Sequence, residues 1–403
     1  MALNLDMVGK PIGPLTREYS WKDAVLYGLA VGAGFSELDF CYEPRLKVIP
    51  TFATAAIFDF FWRVGAASGA DPTGVLHGEQ DITFHHPVPP EGTLTTNGAI
   101  SGLYDKGKNK GAIIVADSET RHSNGNILCN TRFTIFARKD GGFGGEKKSG
   151  PVTAFPSGDP DIVVEDRPAE NQPLLYRLTG DLFPLHADPE FAKAAGFNRP
   201  IMHGMGTLGF ACRALVGALT PCAPERVRRL ACRFTRPLYP GIAIATRIWK
   251  TGDGHALWKT VNTETGETVL DNGRFEFELP RQPGVSGSSG DDRSALQETI
   301  QATVSQLAQR MDLGRFAGRE MRYQFRLTDM PHPDWQLLID GNGCQFLEGK
   351  TDASDCTLVL SGADFNRLLN GKLNPVAAYT EGRVQVEGNL SNAALLMELL
   401  PMG

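Results

Sequence analysis

The sequence has few features of a metal-binding, disulfide-linked or nucleic-acid-binding protein. Its seven cysteines are scattered, and no C-x-x-C pair occurs. This pattern indicates neither a disulfide framework nor a zinc site, and it favours a reducing compartment. The formal net charge is -6, and no block of Lys and Arg forms a stripe for phosphates. We therefore expect no metal and no nucleic-acid partner.

Long hydrophobic runs and targeting signals are also missing. The first residues lack a basic segment followed by an apolar run, and the chain does not end in the peroxisomal S-K-L signal. The most apolar stretch near the start, residues 24–35, is short and rich in glycine. We expect a cytoplasmic protein with no stable membrane insertion.

Two common catalytic signatures are absent as well. Gly32 and Gly34 begin a glycine pattern, but Glu37 stands where the third glycine of a dinucleotide-binding fingerprint belongs. No G-x-S-x-G elbow occurs, which disfavours a serine hydrolase. We expect no redox cofactor.

The 403 residues are too many for one ordinary core, and their patterns fall into three blocks. An apolar helix is predicted at residues 50–64, with Gly65 just past its end, and four strand-like runs follow it. Residues 151–280 repeat this order, with a helix at 199–219. A long helix without a polar face needs cover on all sides, which a curved sheet can provide.

We therefore predict an α+β protein whose first part is a tandem duplication. The predicted boundaries are 1–150 for the N-terminal half, 151–280 for the C-terminal half, 281–292 for a linker and 293–403 for an independent α+β domain. The linker is assigned because its Gly, Ser and Pro residues cannot bury apolar surface.

Asp181 and His186 form the first candidate for a reaction centre. The apolar residues between them, 182–185, are expected to turn inward and to carry both polar ends toward one buried region. An acid and an imidazole that face one cavity can hold and deprotonate a water molecule. Residue types alone favour an ordinary Asp–His hydrogen bond. Asp188, in contrast, is explained as the N-cap of a short helix.

His203 and Gly204 fall in the first turn of the helix predicted at 199–219. Backbone N–H groups in that turn are unpaired and partly positive. Because Gly204 has no side chain to block close approach, its N–H can hold a developing oxyanion. Close packing of helix and sheet explains the glycine equally well, so both interpretations stay open.

The motifs around these residues resemble those of a known family. Residues 176–204 read YRLTGDLFPLHADPEFAKAAGFNRPIMHG, which resembles the signature of the MaoC-like (R)-specific 2-enoyl-CoA hydratases, also called hydratase 2. FCYE, IPTF, VLHGEQ and GGFGG resemble the N-terminal half of the eukaryotic-type enzymes. Residues 368–400 resemble a sterol carrier protein type 2 domain.

The resemblance implies a double hotdog fold, in which each half wraps an antiparallel sheet around a long central helix. It implies reversible syn hydration of trans-2-enoyl-CoA to (R)-3-hydroxyacyl-CoA, in fatty-acid or sterol side-chain β-oxidation. Asp181 and His186 would orient and activate water, the Gly204 N–H would hold the thioester oxygen, and Glu43 matches a further acidic residue. The resemblance also implies an acyl-CoA substrate, a lipid or acyl-CoA ligand in the C-terminal domain, no separate cofactor and a homodimer.

Five further residues are predicted to contact the substrate through their places in these motifs: Tyr176, Phe183, His203, His77 and Gly78. A histidine satisfied by the backbone is an equally good explanation of His77. Phe183 departs from the family, which has Asn there, and Phe cannot make the hydrogen bonds of an amide. The change predicts either a looser loop, at about 0.5–1.5 kcal/mol per lost bond, or a reshaped acyl pocket.

Two other functions stay open on the sequence. A thioesterase can use the same fold, and a lipid or acyl-CoA carrier would result if Phe183 impaired the hydratase-like part. The phosphates of CoA need cations at the mouth of the pocket, for which residues 106–110 and 226–230 are candidates. Ordinary solvated charge explains these basic residues as well.

Overall fold

The computed structural model describes the first part of the chain almost continuously. The described ranges are 3–147, 153–221 and 223–279, and then, interrupted by single residues, 296–304, 320–330, 333–340, 343–351, 354–380, 382–389 and 392–396. The chain divides into two compact units, Met1–Pro280 and Arg281–Gly403. The linker predicted at 281–292 lies outside the described residues. Within the described ranges, no helix is both long and apolar enough to cross a membrane.

The first unit is built on one sheet of ten strands. These are β1 Pro11–Tyr19, β2 Val75–Phe84, β3 Gly92–Asp105, β4 Ala112–His122, β5 Ile127–Ala137, β6 Ile162–Asp166, β7 Val227–Phe234, β8 Ile244–Gly252, β9 His255–Asn262 and β10 Thr268–Phe277. The eight strands that follow the predicted helices match the strand-like patterns. The two strands at the edges of the sheet, β1 and β6, were not predicted.

The order of the strands shows the duplication. It runs β1-β3-β4-β5-β2-β7-β10-β9-β8-β6, and every pairing between these strands is antiparallel. Read from its outer edge inward, the N-terminal half has the order β1-β3-β4-β5-β2, and the C-terminal half has the equivalent order β6-β8-β9-β10-β7. The two halves therefore share one topology, and the pairing of β2 with β7 joins them.

The helices of this unit differ between the halves. Those in the described residues are α1 Trp21–Ala30, α2 Phe52–Ala55, α3 Asp59–Ser68, α4 Gln172–Tyr176, α5 Pro189–Ala194 and α6 Gly204–Leu219. The longest, α6, is buried along nearly its whole length and packs against β6, β7 and β8. It is the predicted central helix of the C-terminal half, although it begins at Gly204 rather than at 199. The double hotdog is thereby confirmed as the fold of this unit.

The helix predicted at residues 50–64 is broken in two. The chain turns at residues 56–58 between α2 and α3, and Arg17 of β1 donates a hydrogen bond to the carbonyl oxygen of Ala56 at 2.7 Å. The predicted end at residue 64 is wrong, because α3 continues through Gly65 to Ser68. Gly69 ends this helix, with a left-handed φ of 73° that a side chain would disfavour.

The second unit is a separate α+β domain, as predicted. It contains β11 Met321–Leu327, β12 Asp334–Asp340, β13 Gly343–Glu348, β14 Cys356–Leu360 and β15 Val384–Gly388, with helices α7 Gly362–Leu369 and α8 Pro375–Thr380. The strand order is β13-β12-β11-β14-β15, and β11 and β14 are parallel. Tyr323, Phe325, Trp335 and Phe365 form part of its core. The helix predicted at its end lies mostly outside the described residues.

Candidate active site

A cavity of about 200 Å³ lies at the start of α6, where residues of α3, β2 and β7 also reach it. Five of the nine residues predicted for the site line this cavity: Asp181, His186, Gly204, Phe183 and His77. Asp181 and His186 come from the loop before α5, and Gly204 is the first residue of α6. The fold therefore brings the acid, the imidazole and a helix N-terminus to one place.

A sharp turn places Asp181. Gly180 precedes it with a φ of 153°, and a Cβ there would lie 2.8 Å from Nη1 of Arg17 and 3.0 Å from the carbonyl oxygen of Ala55. The backbone N–H of Phe183 donates to Oδ1 of Asp181 at 3.2 Å. Asp181 is only 6% exposed, so its carboxyl group is held inside the protein.

His186 ends a short 3-10 helix, Pro184–His186. Its Nδ1 is 2.9 Å from the carbonyl oxygen of Ile201. Because a carbonyl only accepts, Nδ1 carries the proton and Nε2 of the neutral ring is left as an acceptor. The expectation that residues 182–185 all turn inward is wrong: Leu185 is buried, but Leu182 is 60% exposed. Successive residues of such a turn face different sides, so only part of the segment enters the core.

His203 contacts both Asp181 and His186. Its Nε2 donates to the backbone carbonyl oxygen of Asp181 at 3.0 Å, and its ring stacks on that of His186 at 3.8 Å between centroids. Tyr176 packs on His203 at 4.7 Å. His203 is fully buried and Tyr176 is 1% exposed. Neither belongs to the described lining of the cavity, so their contact with a substrate stays a prediction that this arrangement does not support.

Burial sets the charge of the pair. It raises the pKa of Asp181 to about 6, against an opposing hydrogen bond from the backbone N–H of Phe183 and with a further increase from the charge of Asp59. Burial lowers the pKa of His186 to about 4 and that of His203 well below its ordinary value. At pH 7 the carboxyl group is therefore mostly ionised and the imidazole is neutral.

The Asp181 carboxylate and the His186 ring are arranged to bind a small hydrogen-bond donor such as water. The carboxylate and Nε2 of His186 are both acceptors, and a water molecule has two O–H groups to donate. A carboxylate oxygen of Asp181 and one ring nitrogen each of His186 and His203 lie within 4.8 Å of one another. Groups at this spacing can share a water molecule or a cation.

His77 lies among aromatic rings at the other wall of the cavity. Its ring centroid is 4.5 Å from that of Phe234 and 4.8 Å from that of Phe61. Burial lowers its pKa to about 4, against weaker opposing contributions from Gln80 and Glu79. Within the described residues, neither ring nitrogen has a hydrogen-bond partner of normal geometry. His77 is thus a neutral polar group that is available to a ligand.

Besides His203 and Tyr176, two more of the predicted residues lie away from the cavity lining that the structure describes. Gly78 faces β5, where an added Cβ would lie 2.5 Å from Oγ1 of Thr134, so packing accounts for the glycine. Glu43 is exposed and begins a short surface 3-10 helix, Glu43–Arg45. Its part in the reaction stays a prediction that this arrangement does not support.

The aromatic wall contributed by α3 was missed. Trp62, Phe61 and the preceding Phe58 line the cavity, and the rings of Trp62 and Phe183 pack at 4.7 Å between centroids. The only sequence signal was the apolar run FDFFW, which is typical of a core helix. An apolar pattern does not distinguish a residue that fills the core from one that lines a cavity.

Comparisons with known families agree with the architecture. The family described as MFE-2 hydratase 2 N-terminal domain matches residues 18–139. The MaoC like domain matches residues 151–272, and the SCP-2 sterol transfer family matches residues 296–401.

Individual relatives match over long stretches. The 3-hydroxyacyl-thioester dehydratase Y of Mycobacterium tuberculosis is 36% identical over 69% of this chain and 99% of its own length. Peroxisomal multifunctional enzyme type 2 of Mus musculus is 30% identical over 98% of this chain, which spans only 55% of that enzyme. The crystal structure of a MaoC-like dehydratase from Phytophthora capsici has a TM-score of 0.61 and 29% identity, over 69% of this chain and 99% of that one. The chain therefore belongs to the MaoC-like hydratase 2 family, and its residues 296–401 form a domain of the SCP-2 type.

Proposed function

We propose that the chain catalyses the reversible syn hydration of trans-2-enoyl-CoA to (R)-3-hydroxyacyl-CoA. The observation that carries this proposal is the shared cavity of the Asp181 carboxylate, the Nε2 acceptor of His186 and the N-terminus of α6. The match to the MFE-2 hydratase 2 N-terminal domain and the relative named as a 3-hydroxyacyl-thioester dehydratase support it. Fatty-acid or sterol side-chain β-oxidation is the setting that such a reaction fits.

Asp181 and His186 are proposed to hold the reacting water. The water oxygen forms a bond to C3 while one of the pair takes a proton from it. The electrons of the C2–C3 double bond move toward the thioester, whose oxygen gains negative charge. The Gly204 N–H and the positive end of α6 stabilise that charge. The protonated group then returns its proton to C2 on the same face, which makes the addition syn.

Recognition of CoA is proposed to involve Arg236. It is the one Lys or Arg among the described residues that line the cavity, and its side chain is 63% exposed. Its nearest ion pair, with Glu267, is loose at 3.7 Å. Two of the basic residues suggested by the sequence are engaged elsewhere: Arg228 pairs with Glu278, and Arg229 pairs with Asp81. We therefore infer that Arg236 meets the CoA phosphates.

The second unit is proposed to bind a lipid or an acyl-CoA. The match to the SCP-2 sterol transfer family supports this assignment. Displacement of a fluorescent fatty acid from the full chain would measure it. The homodimer and the cytoplasmic location also remain proposals, which light scattering and imaging of the tagged full chain would test.

The central experiment follows hydration of crotonyl-CoA and longer enoyl-CoAs by the loss of the enoyl absorbance, with chiral analysis of the product. Asp181→Asn and His186→Gln are expected to lower kcat/KM by about 10²–10⁴-fold. Asp188→Asn is the matched control, because Asp188 is an exposed cap of α5 and Asn caps equally well. Unchanged hydration by Asp181→Asn would refute the mechanism.

The same assay separates the rival functions. Release of free CoA, detected with a thiol reagent, would identify a thioesterase. Binding of enoyl-CoA with no turnover in the parent protein would identify a carrier. A series of chain lengths and sterol-derived side chains would then define which acyl group the cavity accepts.

A further inference from the structure

A second, smaller cavity of about 30 Å³ adjoins the cavity that contains Asp181. Among the described residues, four side chains line both cavities and therefore separate them: Phe58, Phe61, His77 and Met205. Three of the four are rings that pack on one another. Phe58 and Phe61 are 5.0 Å apart between centroids, and His77 lies 4.8 Å from Phe61 and 6.0 Å from Phe58. We call these three side chains the ring wall.

The ring wall lies at the buried end of the larger cavity. Arg236 lines the same cavity and is mostly exposed, whereas Phe61 and Met205 are buried. The charged phosphates of CoA stay in solvent, because burying them is costly. The acyl chain of a bound thioester therefore points from the exposed mouth toward the ring wall. The position of the wall then limits how much chain fits beyond the reacting carbons.

The break in the N-terminal helix places Phe58 in this wall. The chain turns at residues 56–58, and Phe58 is the last residue before α3 begins. Its ring stacks on that of Phe61 with 12° between the two planes. Two rings that stack at a centroid distance of 5.0 Å leave no room for an alkyl chain between them. The stacked pair therefore closes the cavity at this point.

The space behind the ring wall is lined largely by polar groups. Five of its lining side chains are both polar and buried: Gln80, Thr96, Ser118, Thr120 and Thr131. The hydroxyl oxygens of Thr96 and Thr120 are 2.7 Å apart and share a hydrogen bond. A space of about 30 Å³ with polar partners suits a water molecule. It offers little apolar contact to the end of an alkyl chain.

We propose that the ring wall limits the length of the acyl group and makes short enoyl-CoA thioesters the preferred substrates. This inference rests on the proposed hydration. The larger cavity has about 200 Å³ for the thioester, the reacting carbons and the remaining chain, whereas cavities for drug-sized ligands have about 300–1,000 Å³. Any further methylene group has to displace a packed ring, which is unfavourable. Activity is therefore expected to fall as the acyl chain lengthens.

The test measures kcat/KM for crotonyl-CoA and for trans-2-decenoyl-CoA with the full chain. A misfitting methylene group changes kcat/KM by roughly tenfold or more, so the parent is expected to prefer crotonyl-CoA by at least about tenfold. Phe58→Ala removes one ring of the wall and joins the two cavities. It is expected to raise kcat/KM for decenoyl-CoA relative to crotonyl-CoA on the order of tenfold.

Phe60→Ala is the matched control. Phe60 lines the smaller cavity but does not belong to the described lining of the larger one. The substitution removes the same side chain two positions further along and leaves the ring wall in place. It should therefore leave the ratio of the two kcat/KM values unchanged. If either alanine variant does not fold, Phe58→Leu and Phe60→Leu make the same comparison with a smaller loss of volume.

Equal kcat/KM values of the parent for the two substrates would overturn the length limit. Equal shifts of the ratio in the Phe58 and Phe60 variants would overturn the role of the ring wall. In both cases, turnover of crotonyl-CoA leaves the proposed function in place. Absence of hydration for both substrates, in the parent and in every folded variant, would remove the proposed function and the length limit together.

Discussion

Arg17 donates a hydrogen bond to the carbonyl oxygen of Thr179 at 2.8 Å, across 162 positions of the chain. The same nitrogen donates to the carbonyl oxygen of Ala56, where α2 and α3 separate. Thr179 lies two residues before Asp181. One guanidinium group on β1 thus fixes both the break in the N-terminal helix and the turn that carries the proposed reactive carboxyl group.

Arg17→Met is expected to impair both stability and turnover. Methionine keeps the length of the side chain but leaves two carbonyl oxygens without their donor. The expected loss is about 1–3 kcal/mol in the free energy of unfolding, measured with urea, and a fall of kcat that exceeds any change in KM. Arg132→Met is the control, because its ion pair with Asp117 is largely exposed and is worth at most about 1 kcal/mol. Equal effects of the two substitutions would argue against a special role for Arg17.

The pH dependence of kcat/KM should report Asp181. Its pKa is raised to about 6, and the proposed reaction needs the ionised form, so activity should rise between pH 5 and pH 7. His186, with a pKa of about 4, is neutral across this range, so its titration should not add a second change to the pH profile of kcat/KM. A profile that is flat from pH 5 to pH 7 would contradict the assignment of Asp181 as the ionised partner.

The raised pKa of Asp181 should lower the free energy of unfolding at neutral pH. Its pKa is about 6 in the folded protein and close to its ordinary value of 3.8 when unfolded, so the folded state binds more protons between these values. Stability therefore falls as the pH rises through this window, by about 3 kcal/mol in total as an order of magnitude. Asp181→Asn should be more stable than the parent at pH 8 and about equally stable at pH 4, as measured by urea unfolding. A gain of the same size at both pH values would point to packing instead of charge.

Arg236→Gln should raise KM for CoA thioesters without lowering kcat. The same variant should behave like the parent on enoyl thioesters of N-acetylcysteamine, which lack the CoA phosphates. Added salt should weaken the effect, because the side chain is mostly exposed. Arg228→Gln is the control, since Arg228 is paired on β7 with Glu278. A raised KM for both classes of thioester would show that Arg236 shapes the cavity rather than meeting phosphate.

The local part of the site could be predicted from the sequence. Asp181, His186 and Gly204 lie within one short segment, and the loop and helix start that join them leave little freedom in their relative positions. The residues that reach the cavity from the other half could not be predicted in this way. Trp62 approaches Asp181 only because β2 pairs with β7 and brings α3 alongside, a relationship that no local pattern encodes.

The predictions for the helix at 50–64 and for Gly78 failed because contacts with distant parts of the chain decide both. The run at 50–64 contains no internal glycine or proline, so a continuous helix was the natural prediction, and the break coincides with a hydrogen bond from the distant Arg17. Gly78 sits in a matching motif, but its nearest neighbour is Thr134 on β5. Membership of a motif therefore indicates relatedness more safely than it indicates contact with a substrate.

The pairing of β2 with β7 has a consequence for how the two halves can diverge. A symmetric pair of identical chains must carry every change twice, because one gene encodes both surfaces. Joined in one chain, the copies are free to specialise. Here the C-terminal copy keeps the unbroken helix α6, whose N-terminus lies at the cavity. The N-terminal copy has a divided helix, and its Arg17 and Trp62 contact Thr179 and Phe183 of the C-terminal copy. Covalent fusion thus allows two copies of one fold to form a single cavity in which each copy contributes different residues.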